Sequence, residues 1–473
     1  MTGESKLPDN DDIQDLLKAF ERLCAGRGNG FLSEDSFERI IDHFDDINSL
    51  SKAMEAAEMG ILQYPYSCTL LVKKADLLIA NRQYKRALVV LDKAEILDRN
   101  DIDIYVLRTD AYLALDMQDK AVALLEDAIA QFDGDERIDL LFELADVYDD
   151  YEAFEKIFDC LKLILDYDPN NEEALYKICF WTDFTGRSEE SIRLHLKIIE
   201  DFPYNDLAWF NLAAAYQGLR LFEKSIDAYQ YAIAINEKFD FAYRNMADAM
   251  MRLHRYKEAI ESLERVIELA RPEDLIYQAI GFCYEKIKNY AQARFYYRKA
   301  SHLNPDDAKI YLKVAGTYIK ESKHAQAIKY LDTSLRIKRL DPEFNLTMGE
   351  CLVKVGKLKE AVHYFMAAVQ ARPKNIKSWD ALIAALFVSG QFKEAQKQVE
   401  MARNQTVNKP MFDYYDSAIL LSIGKIKPGL DLLEHSIEAQ PRLLKKFLKL
   451  YPSSVKFPQV VELILKYKRK KRI

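Results

Sequence analysis

The chain has 473 residues, a formal net charge of −8 and 49% apolar residues, which favours a sizeable core and disfavours a chain that coats nucleic acid along its whole length. Only 15 glycines and 13 prolines occur, which excludes collagen-like and proline-rich chains. The same scarcity argues against an all-β domain, because such domains need frequent turn residues.

Cysteine usage and the N-terminal residues bear on the compartment. The six cysteines are far apart and form no CxxC pair, which predicts reduced, mostly buried thiols rather than disulfides. The first residues lack the basic and apolar regions of a secretory signal. No apolar run is long enough to span a membrane. We therefore expect a cytoplasmic protein without a membrane span.

Residues 1–33 are predicted to form an N-terminal cap helix and a connector. Within 11–25, apolar residues recur on one helical face, at Ile13, Leu16, Leu17, Phe20 and Leu23. The connector at 26–30 contains three glycines. Ser33 is predicted to be the N-cap of the next helix.

A 34-residue pattern fills residues 34–443. Each copy has a helix, a short polar turn, a small residue and a second helix, and the residues that open the second helices are Ala53, Ala87, Ala121, Ile157, Ser191, Ser225, Ala259, Ala293, Ala327, Ala361, Ala395 and Gly429. Every interval is 34 except the one of 36 between Ala121 and Ile157. We place the two extra residues in a loop at 133–136. Gly186, Gly356, Gly390 and Gly424 share the turn at repeat position 15.

This period resembles the tetratricopeptide repeat (TPR) family. The repeat at 274–307 carries the family pattern in order, as Tyr277, Ile280-Gly281, Tyr284, Ala293, Tyr297, Ala300 and Pro305. The repeat at 138–171 departs from it, with Ile157 and Ile164 where small residues are usual. The resemblance implies an all-α, right-handed α-solenoid superhelix of about twelve helix–turn–helix repeats. In its general look the chain is similar to stand-alone bacterial TPR proteins.

Residues 444–473 are predicted to form C-terminal capping helices with a basic tail. Apolar residues at 460–465 are suited to cover the last repeat. The tail at Lys466–Arg472 holds a cluster of lysines and arginines that could contact RNA, the ribosome or anionic lipid. We rank a solvated tail ahead of such contacts.

Catalytic and metal-binding patterns are not found in the sequence. The seven histidines show no zinc-helix spacing, and no P-loop, GxGxxG or GxSxG motif occurs. We therefore expect no enzyme, no cofactor, no metal and no small-molecule substrate.

In the TPR family, positions 2, 5, 9, 12 and 13 of the first helix line a concave groove. Position 9 carries Asp42, Asp76, Asp110 and Asp146 in the first four repeats. Position 13 carries Arg252, Lys286, Lys320 and Lys354 in four later repeats. Between them the lining turns aromatic, at Phe142, Tyr176, Phe180, Phe210 and Phe241. Stacked like charges repel one another, so a ligand of opposite charge would relieve the repulsion. Solvated carboxylates, ordinary family lysines and inter-repeat packing are the alternatives.

Two family mechanisms make further predictions. Chaperone-binding members clamp a C-terminal carboxylate with Lys and Asn at positions 5 and 9 and further residues in the next two repeats. Here only Arg244, beside Asp248, has the basic character at position 5, so no such clamp is expected. The asparagine ladder of sugar-transferring members is reduced to Asn211 and Asn245, which could grip peptide backbone.

The leading function is therefore a non-catalytic scaffold that binds a protein or extended peptide in the groove. Its N-terminal part should prefer a basic segment, its middle an apolar one and its C-terminal part an acidic one. The alternatives are an RNA- or ribosome-associated adaptor that uses the basic tail, and a self-associating structural protein. The sequence leaves the oligomeric state and the partner open.

Overall fold

In the computed structural model, the described residues are 10–25, 31–407 and 409–470. They form 27 α-helices and two short 3-10 turns, and none of them lies in a β-strand. The all-α repeat fold expected from the sequence is confirmed. The chain divides into two compact parts, the N-terminal half at Met1–Glu237 and the C-terminal half at Lys238–Ile473.

The N-terminal half contains one leading helix and six helix pairs. Its helices are α1 Asn10–Cys24, α2 Glu34–Asp46, α3 Leu50–Gln63, α4 Cys68–Ala80, α5 Tyr84–Leu97, α6 Ile102–Ala114, α7 Gln118–Ile129, α8 Gly134–Asp150, α9 Phe154–Tyr167, α10 Glu172–Thr185, α11 Ser188–Asp201, α12 Asp206–Gly218 and α13 Phe222–Ile235. From α2 onward, the even-numbered helix of each pair is the first helix of a repeat.

The C-terminal half contains six further pairs and a closing segment. Its helices are α14 Asp240–Arg252, α15 Tyr256–Leu269, α16 Asp274–Lys286, α17 Tyr290–Leu303, α18 Ala308–Lys320, α19 His324–Ile337, α20 Pro342–Lys354, α21 Leu358–Ala371, α22 Ile376–Val388, α23 Phe392–Gln405, α24 Lys409–Ser422, α25 Ile426–Ala439, α26 Leu444–Leu450 and α27 Pro458–Lys470. The 3-10 turns are Pro441–Leu443 and Pro452–Lys456.

Side-chain caps fix where many first helices begin. The side chain of Ser33 accepts from the Ser36 amide at 3.2 Å, and Asn205 accepts from the Ala208 amide at 2.8 Å. Such a cap satisfies a main-chain N–H that has no partner within the helix. The next helix of each pair rarely has one, because the tight turn before it sets its start.

That turn has the same backbone conformation in all twelve helix pairs. The residue at repeat position 15 has a positive φ, between 54° and 86°. Four pairs use glycine there, and the other eight use Asn48, Arg82, Asp116, Glu152, Arg220, His254, Lys288 and Ser322. A left-handed residue reverses the chain within two or three positions, so it is required by the short connection whatever its side chain.

Small residues let the two helices of a repeat approach each other. Ala293 on α17 is fully buried, and the Tyr297 ring lies directly over Gly281 on α16. A Cβ atom added to Gly281 would lie 2.6 Å from that ring. The Tyr297 hydroxyl donates to the Glu285 carboxylate at 3.0 Å, which holds the ring in place. The close approach is what allows one repeat to bury its apolar face against the next.

The two ends of the chain cover the terminal repeats. In α1, Phe20 is 3% exposed and packs with Phe44 of α2 at a ring separation of 6.0 Å. In α27, Val460 is fully buried in the core of the C-terminal half. The predicted connector at 26–30 lies outside the described residues.

The loop conformation predicted for the two extra residues at 133–136 is wrong. Residues 134–136 are not a loop, because α8 begins at Gly134 and is 17 residues long where the other first helices have 13 or 14. Asp135 and Glu136 lie in its first turn, where their charges are stabilised by the helix dipole. The preceding helix α7 is correspondingly short, at 12 residues.

Candidate functional site

The four position-9 aspartates of the N-terminal half all lie exposed on first helices. We call Asp42, Asp76, Asp110 and Asp146 the acidic ladder; they lie on α2, α4, α6 and α8. These helices contact one another in order, and the charges of Asp76 and Asp110 act on each other. The acidic ladder therefore crosses four successive first helices.

The members of the acidic ladder differ in how their charge is balanced. Asp42 forms an ion pair with Lys73. Asp146 lies 4.0 Å from the Lys177 ammonium, which is closer to Glu173, at 2.8 Å. Within the described part of the chain, neither Asp76 nor Asp110 has a basic side chain within ion-pair distance. Asp110 thus has no basic group beside it among the residues that the structure describes, and Asp76 is compensated only in part, by the charge of Lys73, which is paired with Asp42.

The pKa values of these carboxyls report the same crowding. Although solvent reaches them, the flanking helices displace part of their hydration water. This raises the pKa of Asp76, to which the charge of Asp45 adds and which the charge of Lys73 opposes. It also raises the pKa of Asp110, to which the charge of Asp76 adds. Both effects disfavour the ionised form, and a bound cation would reverse them.

Glu143 on α8 lies beside the acidic ladder and was missed by the sequence analysis. Its half-buried carboxyl lies between the charges of Asp110 and Asp146, and burial together with those charges raises its pKa to about 7. It occupies repeat position 6, which is not among the groove-lining positions from which the charges were predicted. An acidic residue at position 6 between two position-9 aspartates is the signal that could have identified it.

An aromatic stripe follows the acidic ladder in the same half. Tyr176, Phe180 and Phe184 succeed one another at every fourth residue of α10 and are 63%, 61% and 56% exposed. Phe184 was not among the predicted residues. Phe154 of α9 supports the stripe with a ring separation of 4.8 Å from Phe184. Three large exposed aromatic rings on one helix face mark a surface suited to contact another molecule.

The other predicted aromatic residues are less accessible. Phe142 is half-buried, with the Lys177 ammonium 4.9 Å from its ring centre. Phe210 on α12 is half-buried beside Tyr229, at a ring separation of 5.6 Å. In the C-terminal half, Phe241 on α14 is 48% exposed. These residues are packed against neighbours and offer only part of their surface.

The two predicted asparagines occupy different environments. Asn211 on α12 is 2% exposed, and its amide donates to the main-chain carbonyl of Leu175 on α10 at 2.7 Å. This bond ties one repeat to the next. Asn245 on α14 is half-buried.

The four basic residues at position 13 lie exposed in the C-terminal half. We call Arg252, Lys286, Lys320 and Lys354, on α14, α16, α18 and α20, the basic ladder. Arg252 lies 3.5 Å from Asp248, and Lys320 lies 2.5 Å from Glu285. The ammonium of Lys286 lies 4.9 Å from the Phe282 ring centre. Among the described residues Lys354 makes no ion pair.

Two basic residues of the closing segment are already paired within the fold. Lys466 on α27 donates to Glu434 at 2.8 Å, and Lys446 on α26 lies 2.5 Å from Asp380. The side chains of 468–473, most of the predicted basic tail, lie outside what the structure describes.

Reactive groups elsewhere are held in unreactive states. Burial raises the pKa of the Cys160 and Cys283 thiols to about 12, so they stay protonated. His195 is fully buried and its pKa is lowered by burial to about 4, which makes it a neutral core residue. In the described ranges, no three His, Cys, Asp or Glu side chains are placed to hold a metal ion. None of the described helices combines the length and apolar character needed to cross a bilayer.

Comparisons with known protein families identify the repeat in four segments of the chain. Models of the tetratricopeptide repeat match residues 207–239, 242–272, 288–351 and 342–375. No curated protein sequence matches the chain.

Three solved structures illustrate the structural likeness. The C-terminal part of a TPR repeat-containing protein from Cytophaga hutchinsonii is 15% identical over 51% of this chain and 98% of its own, with a TM-score of 0.45. YrrB, described as a TPR protein with an unusual peptide-binding site, is 16% identical over 40% of this chain and 96% of its own, with a TM-score of 0.35. PilF of Pseudomonas aeruginosa is 19% identical over 44% and 95%, with a TM-score of 0.36. These scores are low, so none of the three bears on what this chain binds.

Proposed function

Because the chain is a tetratricopeptide repeat protein, we propose that it is a non-catalytic scaffold that binds an extended segment of another protein along its first helices. The single observation that carries this proposal is in the N-terminal half. There the acidic ladder, in which Asp76 and Asp110 have no ion pair among the described residues, adjoins the exposed aromatic stripe. The cytoplasmic location stays a prediction.

The acidic ladder favours a basic segment. Asp76, Asp110 and Glu143 repel one another and have raised pKa values, so the free protein holds these carboxyls in an unfavourable arrangement. Lysine or arginine side chains placed between them would relieve the repulsion. The same charges would steer a basic partner toward this face and make its binding sensitive to salt.

The aromatic stripe favours an apolar residue beside that basic run. Tyr176, Phe180 and Phe184 expose more than half of their surface, and burying such rings is among the largest gains available to an interface. Lys177 lies at the boundary between ladder and stripe, where its charge would exclude a further cation. The expected ligand is therefore basic at one end and apolar at the other.

The helix spacing gives the ligand its approximate period. Packed helices lie about 8–10 Å apart and an extended chain advances about 3.3 Å per residue, so one step along the ladder spans about three residues. A segment with a cation at about every third position would meet α4, α6 and α8 in turn, and a bulky apolar residue beyond them would reach α10.

The test is a synthetic peptide with lysine at every third position, followed by the photo-crosslinking residue benzoyl-phenylalanine. Irradiated with the full chain, it should form crosslinks within 172–185, the segment that carries the aromatic stripe. A peptide with glutamate in place of lysine is the matched control and should form few. Crosslinks confined to the second helices of the repeats would contradict the proposal.

A further inference from the structure

The C-terminal half contains an open pocket that the proposed site does not use. Its volume is about 410 Å³, and it is lined by the first helices α18, α20 and α22 and by residues of the second helices α19 and α21. Most of its wall is apolar, formed by Ile319, Val353, Leu358, Ala381, Ala384 and Val388. A cavity of this size is large enough for a leucine, methionine or phenylalanine side chain.

Small side chains on α22 create this space. Ala384 occupies repeat position 9, where α16 has Phe282 and α20 has Glu350. Ala381 occupies position 6, where α18 has Lys313. Small residues also occur singly at these positions, as Ala279 at position 6 of α16 and Gly316 at position 9 of α18, but α22 has alanine at both. The two alanines together leave a gap beside α20.

Polar groups at the pocket point to the chemistry of its ligand. Lys354 is exposed, lines the pocket and has no carboxylate partner among the described residues. His324 also lines the pocket, and its Nδ1 atom is buried without a hydrogen-bond partner.

The charge balance at the pocket is positive. Glu350 lines the wall; burial raises its pKa, and the charge of Lys377 opposes that effect. Lys377 therefore opposes the charge of Glu350, and Lys354 is left without an ion pair among the described residues. On the two preceding first helices the basic ladder continues with Lys320, which is paired with Glu285, and with Lys286.

We propose that this pocket binds a bulky apolar side chain of an acidic protein segment, whose carboxylate lies against Lys354. This rests on the proposed function, because it supposes that the chain binds extended protein segments. It adds a second site, in the C-terminal half, with the opposite charge preference. The apolar side chain supplies the anchor, and the basic ladder selects acidic neighbours for it.

The first test uses a fluorescein-labelled peptide in which one phenylalanine is flanked by aspartates and glycines. The full chain should bind it, and replacing its phenylalanine by alanine should weaken binding about tenfold or more, since a large buried ring supplies much of the affinity. Replacing its aspartates by lysines should weaken binding as well. Equal affinity for the phenylalanine and alanine peptides would overturn the proposal.

Two protein variants test the pocket itself. Ala384→Phe fills it with the residue that α16 carries at the same repeat position, and should abolish binding of the phenylalanine peptide. Ala291→Phe, at an exposed position of α17, is the matched control and should bind as the parent does. If Ala384→Phe binds normally while folded by circular dichroism, the pocket is not the site.

Lys354→Glu keeps the test decisive even if the filled pocket disturbs packing. This exposed residue should be replaceable without loss of fold. Binding of the acidic peptide should weaken by about tenfold or more, because the attraction between Lys354 and the peptide's carboxylate becomes a repulsion. Lys359→Glu on α21, also exposed, is its control. Equal losses in both lysine variants would show a non-specific charge effect and overturn the role of Lys354.

The same samples separate this proposal from the proposed function. The lysine-rich crosslinking peptide reports on the N-terminal half and should be unaffected by Ala384→Phe. If that peptide crosslinks as expected and the acidic peptide does not bind, only the pocket proposal fails. If the acidic peptide binds and the lysine peptide does not crosslink, the pocket stands and the N-terminal site fails.

Discussion

Glu143 on α8 lies beside Asp110 on α6, and burial together with the charge of Asp110 raises the pKa of Glu143 to about 7. No cation compensates Asp110 within the described residues, so the pair adds repulsion rather than stability to the fold. An arrangement that weakens the free protein and would be relieved by a basic ligand is the physical basis of the proposed site.

This pair predicts a stability that falls as the pH rises. The pKa of Glu143 is raised from 4.5 to about 7, so the folded state holds the proton more tightly than the unfolded state. Stability should therefore decrease between about pH 4.5 and pH 7, by an amount on the order of 1 kcal/mol near Glu143. Hydrogen exchange of the α8 amides across this pH range is the measurement, because long repeat arrays need not unfold in one step.

The variant Glu143→Gln should remove that local pH dependence and protect α8 at pH 8. Glu136→Gln, on an exposed residue of the same helix, provides the control and should leave the profile as it is. An unchanged α8 profile in Glu143→Gln would show that the carboxyl does not titrate in this range.

The left-handed turn residues predict a stabilising substitution. Lys288 has a φ of 65°, a conformation that costs a side-chain-bearing residue about 1 kcal/mol relative to glycine. Lys288→Gly should therefore raise the thermal midpoint of the full chain, and the reciprocal Gly356→Lys, at a φ of 82°, should lower it. A fall in the midpoint for Lys288→Gly would mean that the lysine side chain stabilises the turn by more than the strain costs.

The packing of Tyr297 on Gly281 predicts that an alanine at position 281 destabilises the protein. An added Cβ would lie 2.6 Å from the ring, which the hydrogen bond to Glu285 prevents from moving aside. Gly281→Ala should therefore destabilise the protein by about 1–3 kcal/mol, as overpacking typically does.

Gly316→Ala supplies a matched control on α18, because nothing lies within 4 Å of its added Cβ. There the better helix propensity of alanine should stabilise by up to about 1 kcal/mol. Circular dichroism melts of both variants measure these effects. A similar loss of stability in the two would show that α16 is not closely packed on Tyr297.

The helix pairs can be predicted from the sequence because the same residue types recur at each repeat position. Small residues recur where helices contact each other, and glycine occurs in four of the turns. The sequence does not reveal that residues such as Arg82 and Lys288 take the same left-handed turn, since their side chains do not demand it. The wrong prediction of a loop at 133–136 has a similar cause. Aspartate and glycine are typical of loops, but acidic residues are also favoured in the first turn of a helix, as in α8.

Parts of the candidate sites could not be predicted from repeat positions alone. Glu143 lies at position 6, outside the positions read for charge, and its altered pKa depends on Asp110 in the preceding repeat. The pocket exists because Ala381 and Ala384 leave space unfilled, and this space is visible only when the neighbouring helices are placed together. The ladders, by contrast, follow directly from the repeat period, with residues 34 apart or, between Asp110 and Asp146, 36 apart.

The affinity of the lysine-rich peptide for the double variant Asp76→Lys and Asp110→Lys tests the proposed site most directly. Fluorescence anisotropy at low salt should show binding weakened by about tenfold or more, because two attractive contacts become repulsive. Asp127→Lys with Asp227→Lys, on exposed residues of α7 and α13, changes the net charge equally and should bind nearly as the parent does. Unchanged affinity in the ladder variant, or an equal loss in the control, would contradict the account.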